Sequence, residues 1–118
     1  MPRHVLIAVP DLFFLARIEA AATLAGTSLE RCASAELTAR CAARRPDLVI
    51  LDLHAGGDPL AGVRALKAAA ELASIPVVGF YSHVEQDTRR LAQQAGVDQV
   101  LPRSAFTSRL AELLAGGA

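Results

Sequence analysis

Five short apolar runs, each followed by a segment long enough for a helix, constrain this chain more than any other feature. HVLIAV (4–9), LERCA (29–33), LVILDL (48–53), PVVGFY (76–81) and QVL (99–101) are short, apolar or β-branched, and bounded by turn formers, the signature of strands. The first helix is expected to start at Asp11, whose carboxylate can cap free N–H groups, and to stop at Gly26, where a left-handed residue ends helices. Phe14, Ile18, Ala21 and Ala25 would share one of its faces. A second helix runs from about Ser34 to Arg45 and is closed by Pro46, because the residue before a proline avoids the helical region. PLAGVRALKAAAELA (59–73) supplies the third, about Val84 to Ala95 the fourth, and Ser104, as a cap, to about Leu114 the fifth.

Strands separated by helices of this length need crossover connections, which give a parallel sheet covered on both faces. In open sheets of this kind ligands sit beyond the carboxyl ends of the strands, where the strand order reverses. Asp52 ends the third run and Asp11 follows the first, so both acids fall at that edge. A carboxylate ending a buried strand is costly unless it is solvated or paired, which argues against a purely structural role for Asp52. Asp11 can be explained as a helix cap alone.

At 118 residues the chain is expected to be a single domain, residues 1–118, with no separate output domain. Apolar residues make up 53% and aromatics 4%, so Leu, Val, Ile and Ala must build the core. The 12 basic and 12 acidic residues cancel, which disfavours nucleic acid as a partner. No apolar run approaches the roughly 20 residues that span a bilayer, and the start MPRHVLIAVPD lacks a signal-peptide cleavage site. A cytoplasmic protein without membrane contact is expected. Cys32 and Cys41 form no C-x-x-C pair and are expected to be buried, reduced thiols. His4 and His83 are expected to be exposed loop or strand-end residues.

A strand ending in an acid (PDLVILDL), an acid after the first strand, a hydroxyl after the fourth and a cation after the fifth, in that order along the whole chain, resemble a response-regulator receiver domain. The resemblance implies an α/β flavodoxin-like (βα)5 fold with strand order 2-1-3-4-5. It implies that Asp52 accepts a phosphoryl group from a histidine kinase or phosphotransfer protein. Such an acceptor needs its charge offset, which a divalent metal does by bridging carboxylate and phosphoryl oxygens. Asp11, Asp52 and the backbone carbonyl of His54 would be the protein ligands of Mg²⁺, and Ser82 and Arg103 would take phosphoryl oxygens. Arg103 has the alternative of pairing with Asp52 across the strand ends, and Ser82 that of a simple turn residue.

Departures from the family pattern cluster in this one site. Pro10 stands where a second acid is usual, so the Mg²⁺ site should be weakened. Counted from Pro76, Tyr81 occupies the usual Ser/Thr place and Ser82 follows it, leaving the hydroxyl position open between the two. The usual lysine–proline pair is replaced by PRS (102–104), the lone lysine is Lys67, the aromatic switch position is Val100, and Gly56 replaces a proline after Asp52. A flavin or nucleotide binder would show a glycine-rich loop after the first strand, and VPDLFF has none. Ser82 and His83 are neighbours without a triad signature, so an enzyme is not expected.

Two readings stand. In one, the chain is a stand-alone receiver whose phosphorylation on Asp52 changes what it binds. In the other it is a pseudo-receiver that no longer takes phosphate and serves as a protein-docking module. The resemblance places the output surface on the fourth helix, fifth strand and fifth helix. Arg89, Arg90, Gln93, Arg109 and Glu112 would be its polar members, facing a downstream protein or a second copy. Phe13 and Phe14 would sooner pack in the core than face a partner.

Overall fold

The computed structural model of the chain describes residues 2–82 and 87–116. Among them the chain alternates strictly: β1 (His4–Ala8), α1 (Leu12–Ala25), β2 (Ser28–Arg31), a 3₁₀ turn (Ser34–Glu36) leading into α2 (Leu37–Ala43), β3 (Leu48–Asp52), α3 (Pro59–Ala68), β4 (Val77–Tyr81), α4 (Thr88–Ala95), β5 (Gln99–Pro102) and α5 (Arg103–Ala115). Every strand pair is parallel and the sheet order is β2-β1-β3-β4-β5, as expected. No helix among the described residues is long and apolar enough to cross a membrane.

The apolar runs are near-continuous because both faces of the sheet are covered. Val5 and Ile7 of β1, Ile50 of β3 and Phe80 of β4 pack against α1 and α5. Leu6, Val49, Leu51 and Val77 point the other way, onto α2, α3 and α4. Alternate residues of one strand thus enter two separate cores.

Local signals hold at both ends of α1. Asp11 is its N-cap and Gly26, at φ 69°, its left-handed C-cap. Its inner face is Phe14, Leu15, Ile18 and Ala22, so the expected Ala25 lies outside the core. Phe14 is buried while Phe13 stands 91% exposed, splitting the aromatic pair between core and surface.

Four other expectations change. The second helix opens as a 3₁₀ turn and ends at Ala43, and Arg45 instead reaches the Glu71 carbonyl and Ser74 Oγ at 2.6 and 2.7 Å. The third stops at Ala68 because Lys67 Nζ collects the Ala73 and Ile75 carbonyls at 3.0 and 2.8 Å and Asp98 at 2.9 Å. Three carbonyl and carboxylate partners saturate the ammonium and fold the following residues into turns. Pro102, not Ser104, caps α5, since β5 runs straight into the helix. The expected start of α4 at Val84 lies outside the described residues, as does His83.

His4 is the fourth correction. It is 4% exposed rather than open to solvent. Its backbone N–H donates to Asp47 Oδ2 at 2.8 Å and its ring Nε2 lies 3.2 Å from Glu30 Oε1. Arg40 takes the other Glu30 oxygen at 2.8 Å, and holds the Glu30 carboxyl below its usual range against the opposing effect of burial, with His4 assisting.

Gly62 shows how closely the second layer packs. A Cβ there would collide with the backbone carbonyl of Ser34 in the 3₁₀ turn. Gly62→Ala should therefore lose stability by about 1–3 kcal/mol, outweighing the roughly 0.5–1 kcal/mol that alanine gains in a helix. Urea unfolding of the two proteins measures this, and a neutral or stabilised variant would mean that α3 does not press on the turn.

Candidate functional site

The carboxyl ends of β1, β3, β4 and β5 form one edge, and the loops leaving them carry the polar residues. β3 is central, flanked by β1 and β4, so its last residue, Asp52, occupies the middle of the edge. The run into it is fully buried and Asp52 itself is half-buried. Its Oδ1 accepts the His54 amide at 2.9 Å, and the Ala55 amide donates to the Asp52 carbonyl at 3.1 Å. This Asx-type turn fixes the carboxylate at the strand end without burying it.

Asp11 sits on the first loop and serves α1 as a cap: Oδ1 accepts the Phe13 and Phe14 amides at 3.0 and 3.2 Å. Its Oδ2 accepts from Arg103 Nη2 at 3.3 Å. The Phe14 amide above all, opposed by desolvation and joined by Arg103 and Phe13, holds the carboxyl below its usual range. A depressed carboxylate stabilises the fold above its unfolded pKa and loses that contribution as pH falls through the folded one.

Arg103 opens α5. Besides Asp11 it donates from Nη1 to Ser82 Oγ at 3.4 Å, and its Cζ lies 4.0 Å from the Phe14 ring centroid. The expected Arg103–Asp52 pair is not formed: among the described residues Arg103 pairs with Asp11 and Asp52 takes part in no ion pair. The cause is the packing of α5 beside α1, which brings the guanidinium onto the capping acid and the aromatic ring of α1.

The hydroxyl beside this cation belongs to Ser82. Tyr81, its neighbour, packs instead against the α2–α3–α4 core, on the opposite face of β4 from Phe80. Lys67 is committed to its turn and to Asp98, away from the acids. Structure thus gathers Asp11, Ser82 and Arg103 into one hydrogen-bonded group beside Asp52 and His54. Phe14 belongs to that group as the seat of the guanidinium, a role its sequence position does not reveal, since Arg103 stands at the far end of the chain, at the start of α5.

Beside Pro10 the edge opens into a cavity of about 490 Å³ lined mainly by apolar atoms, with Leu12, Leu15, Arg31, Cys32 and Gly56 among its walls. Burial pushes the Cys32 thiol up to about 11, so the thiolate is scarce at neutral pH and redox or metal work is disfavoured. Both cysteines are free thiols, Cys41 buried and Cys32 half-buried.

The donors do not fit Mg²⁺ as they stand. That ion demands near-octahedral oxygen ligands, while Asp11 has both oxygens engaged and Pro10 offers no carboxylate. Among the described residues no three acidic, His or Cys side chains gather as a metal site.

No protein-family model matches the chain, and no curated protein matches its sequence. Solved structures do resemble it. The chemotaxis protein CheY4 of Vibrio cholerae is 15% identical, with a TM-score of 0.83 over 100% of both chains. The signal receiver domain of the putative response regulator NarL from Mycobacterium tuberculosis is 21% identical, with a TM-score of 0.80 over 99% of this chain and 98% of that one. The Mn²⁺-bound form of response regulator Rcp1 is 18% identical, with a TM-score of 0.74 over 98% of this chain and 91% of that one. At these identities the likeness is one of fold: the chain has the flavodoxin-like architecture of response-regulator receivers.

Proposed function

We propose that this receiver-fold chain acts in two-component signalling by accepting a phosphoryl group on Asp52 and changing, in consequence, which protein it binds. One observation carries the reading. Asp52 ends the central strand half-buried, outside any ion pair among the described residues, while the acid, hydroxyl and cation around it are already linked to one another. A carboxylate left open at that point is a nucleophile in reach of a phosphodonor.

The step balances simply. An Asp52 carboxylate oxygen forms a bond to phosphorus as the bond from phosphorus to the donor's leaving group breaks, and the leaving group departs with that electron pair. Ser82 would hydrogen-bond a phosphoryl oxygen through its O–H, and Arg103 would pair with another, offsetting charge that builds up in transfer. The donor would be a histidine kinase or a phosphotransfer protein, in the cytoplasm, and the chain itself a signalling module rather than an enzyme. Incubation with acetyl phosphate, followed by intact mass, tests the reading: the expected result is a single added phosphoryl group, and no mass gain would overturn it.

A second reading, a docking module that takes no phosphate, is favoured by Pro10 and by the Arg103–Asp11 pair, which leave fewer charges free for a phosphoryl group. The same mass measurement separates the two.

The output surface would be α4, β5 and α5. Arg89, Arg90 and Gln93 are exposed on α4, Arg90 pairing with Asp87 at 3.2 Å. Arg109 bonds Gln99 at 2.9 Å and lies 3.9 Å from Glu112. Charge reversal at Arg89 and Arg90 should weaken capture of a downstream protein or a second copy while changing stability by about 0.5 kcal/mol or less per site. Undiminished capture by the folded variant would move the contact elsewhere, with exposed Phe13 the next candidate.

A further inference from the structure

The acid edge already holds a cation. Arg103 is gripped from three sides: by Asp11 Oδ2 at 3.3 Å, by Ser82 Oγ at 3.4 Å and by the Phe14 ring, 4.0 Å from Cζ to centroid. Asp11 is engaged on its other oxygen too, by the Phe13 and Phe14 amides. Pro10 precedes it with an apolar ring and no charge. A divalent ion entering between Asp11 and Asp52 would need Asp11 Oδ2, and so would have to evict the guanidinium from both its ion pair and its aromatic seat.

We propose that Arg103 is the resident cation of this edge, holding Asp11 in place of a divalent metal, so that the Asp11–Asp52 pair discriminates against such ions. Arginine suits the task where lysine would not. Its planar guanidinium lies over the Phe14 ring while separate N–H groups reach Asp11 and Ser82, whereas an ammonium is a compact, strongly hydrated point charge. The helix cap adds to the effect, because turning Asp11 toward an ion would release the first amides of α1. Eviction of the arginine corresponds to about a tenfold handicap for the metal, from one part-exposed ion pair and one cation–π contact.

The inference deepens the reading of Asp52 as the centre of a functional edge, but its test does not involve phosphate. Mn²⁺ alone is titrated into the ¹⁵N-labelled protein, and paramagnetic broadening of the amides near Asp11 and Asp52 gives the affinity. The native chain should show no saturation below roughly 1 mM, the weak end of oxygen-ligand sites. Arg103→Ala should bind about tenfold tighter, and Pro10→Asp with Arg103→Ala tighter still. Thermal unfolding checks that each variant is folded, and Arg103→Gln replaces Arg103→Ala if the latter is not. Saturation of the native chain at micromolar Mn²⁺ would overturn the proposal, and so would an Arg103 variant that binds no more tightly than the native chain. Failure of Asp52 to accept phosphate would leave either metal result standing.

Discussion

Asp52→Asn should abolish the mass gain from acetyl phosphate while leaving the fold intact. Asparagine is nearly isosteric, and its side-chain oxygen can still accept the His54 amide that Asp52 Oδ1 holds at 2.9 Å. The turn after β3 therefore survives, and a stability change within about 1 kcal/mol is expected from a half-exposed position of this kind. The neutral amide is no nucleophile toward phosphorus, so the loss of labelling should be complete rather than partial. Asp11 and Asp58, which also stand on loops leaving this edge, are poorer acceptors. Asp11 is tied to the Phe13 and Phe14 amides and to Arg103, and Asp58 caps α3 by accepting from the Ala61 amide at 3.0 Å. Asp11, whose lone pairs serve a helix N-terminus and an arginine, is stabilised as the anion and blunted as an attacking group, and Asp58 faces Arg64 at 3.8 Å, a partner that Asp52 lacks among the described residues. Labelling that persists in Asp52→Asn at the native level would place the acceptor elsewhere and remove the basis of the proposed function.

The fold was legible where one local signal decided the outcome. The run Leu48–Asp52 is a strand because the apolar, β-branched residues leading into Asp52 pack on both of its faces. Asp11 and Gly26 end α1 by chemistry that resides in those two residues. Expectations failed where a partner distant in sequence intervened. His4 looks like a strand-end residue until Glu30 and Asp47, 26 and 43 positions away, cover it. The pattern of the third helix continues past Ala68 in sequence, and the chain departs from it because Lys67 binds the carbonyls of the next turn. Ser104 has the chemistry of a cap but arrives two residues late, after Pro102 has already turned the chain from β5 into α5.

The site shows the same division. That Asp11, Asp52, Ser82 and Arg103 belong to one edge follows from strand order alone, because each stands at or just beyond the end of a strand. Which acid the arginine takes does not. That choice is made by the packing of α5 on α1, where Phe14 offers a face at 4.0 Å and Asp11 an oxygen at 3.3 Å. Sequence gives the members of such a cluster; the angle between two helices gives its pairs.

Phe80→Ala should be the most destabilising single truncation at this end of the molecule. The chain has four phenylalanines, and three of them meet directly beneath the acid edge. Phe80 stacks on Phe106 with centroids 4.7 Å apart and planes 18° apart, and meets Phe14 edge-on at 5.0 Å and 65°. It is opposite Asp52 in the β3–β4 register and is 1% exposed. Removing its ring loses transfer energy and leaves a cavity, together costing about 3–5 kcal/mol, with about 0.5–1.5 kcal/mol per lost ring pair within or beyond that sum. Against a total stability of roughly 5–15 kcal/mol for a single domain, that is enough to bring unfolding close to physiological temperature. Phe80→Leu, which keeps most of the volume, should cost only about 1–2 kcal/mol. Denaturant unfolding of the three proteins measures both differences. Because Phe14 leans on Phe80 and carries Arg103, the alanine variant should also lose the cation–π seat, seen as a change in the amide shifts of Asp11 and Arg103 that Phe80→Leu does not reproduce. A Phe80→Ala cost under about 1 kcal/mol, with those shifts unmoved, would show that the rings neither hold up this edge nor position its arginine.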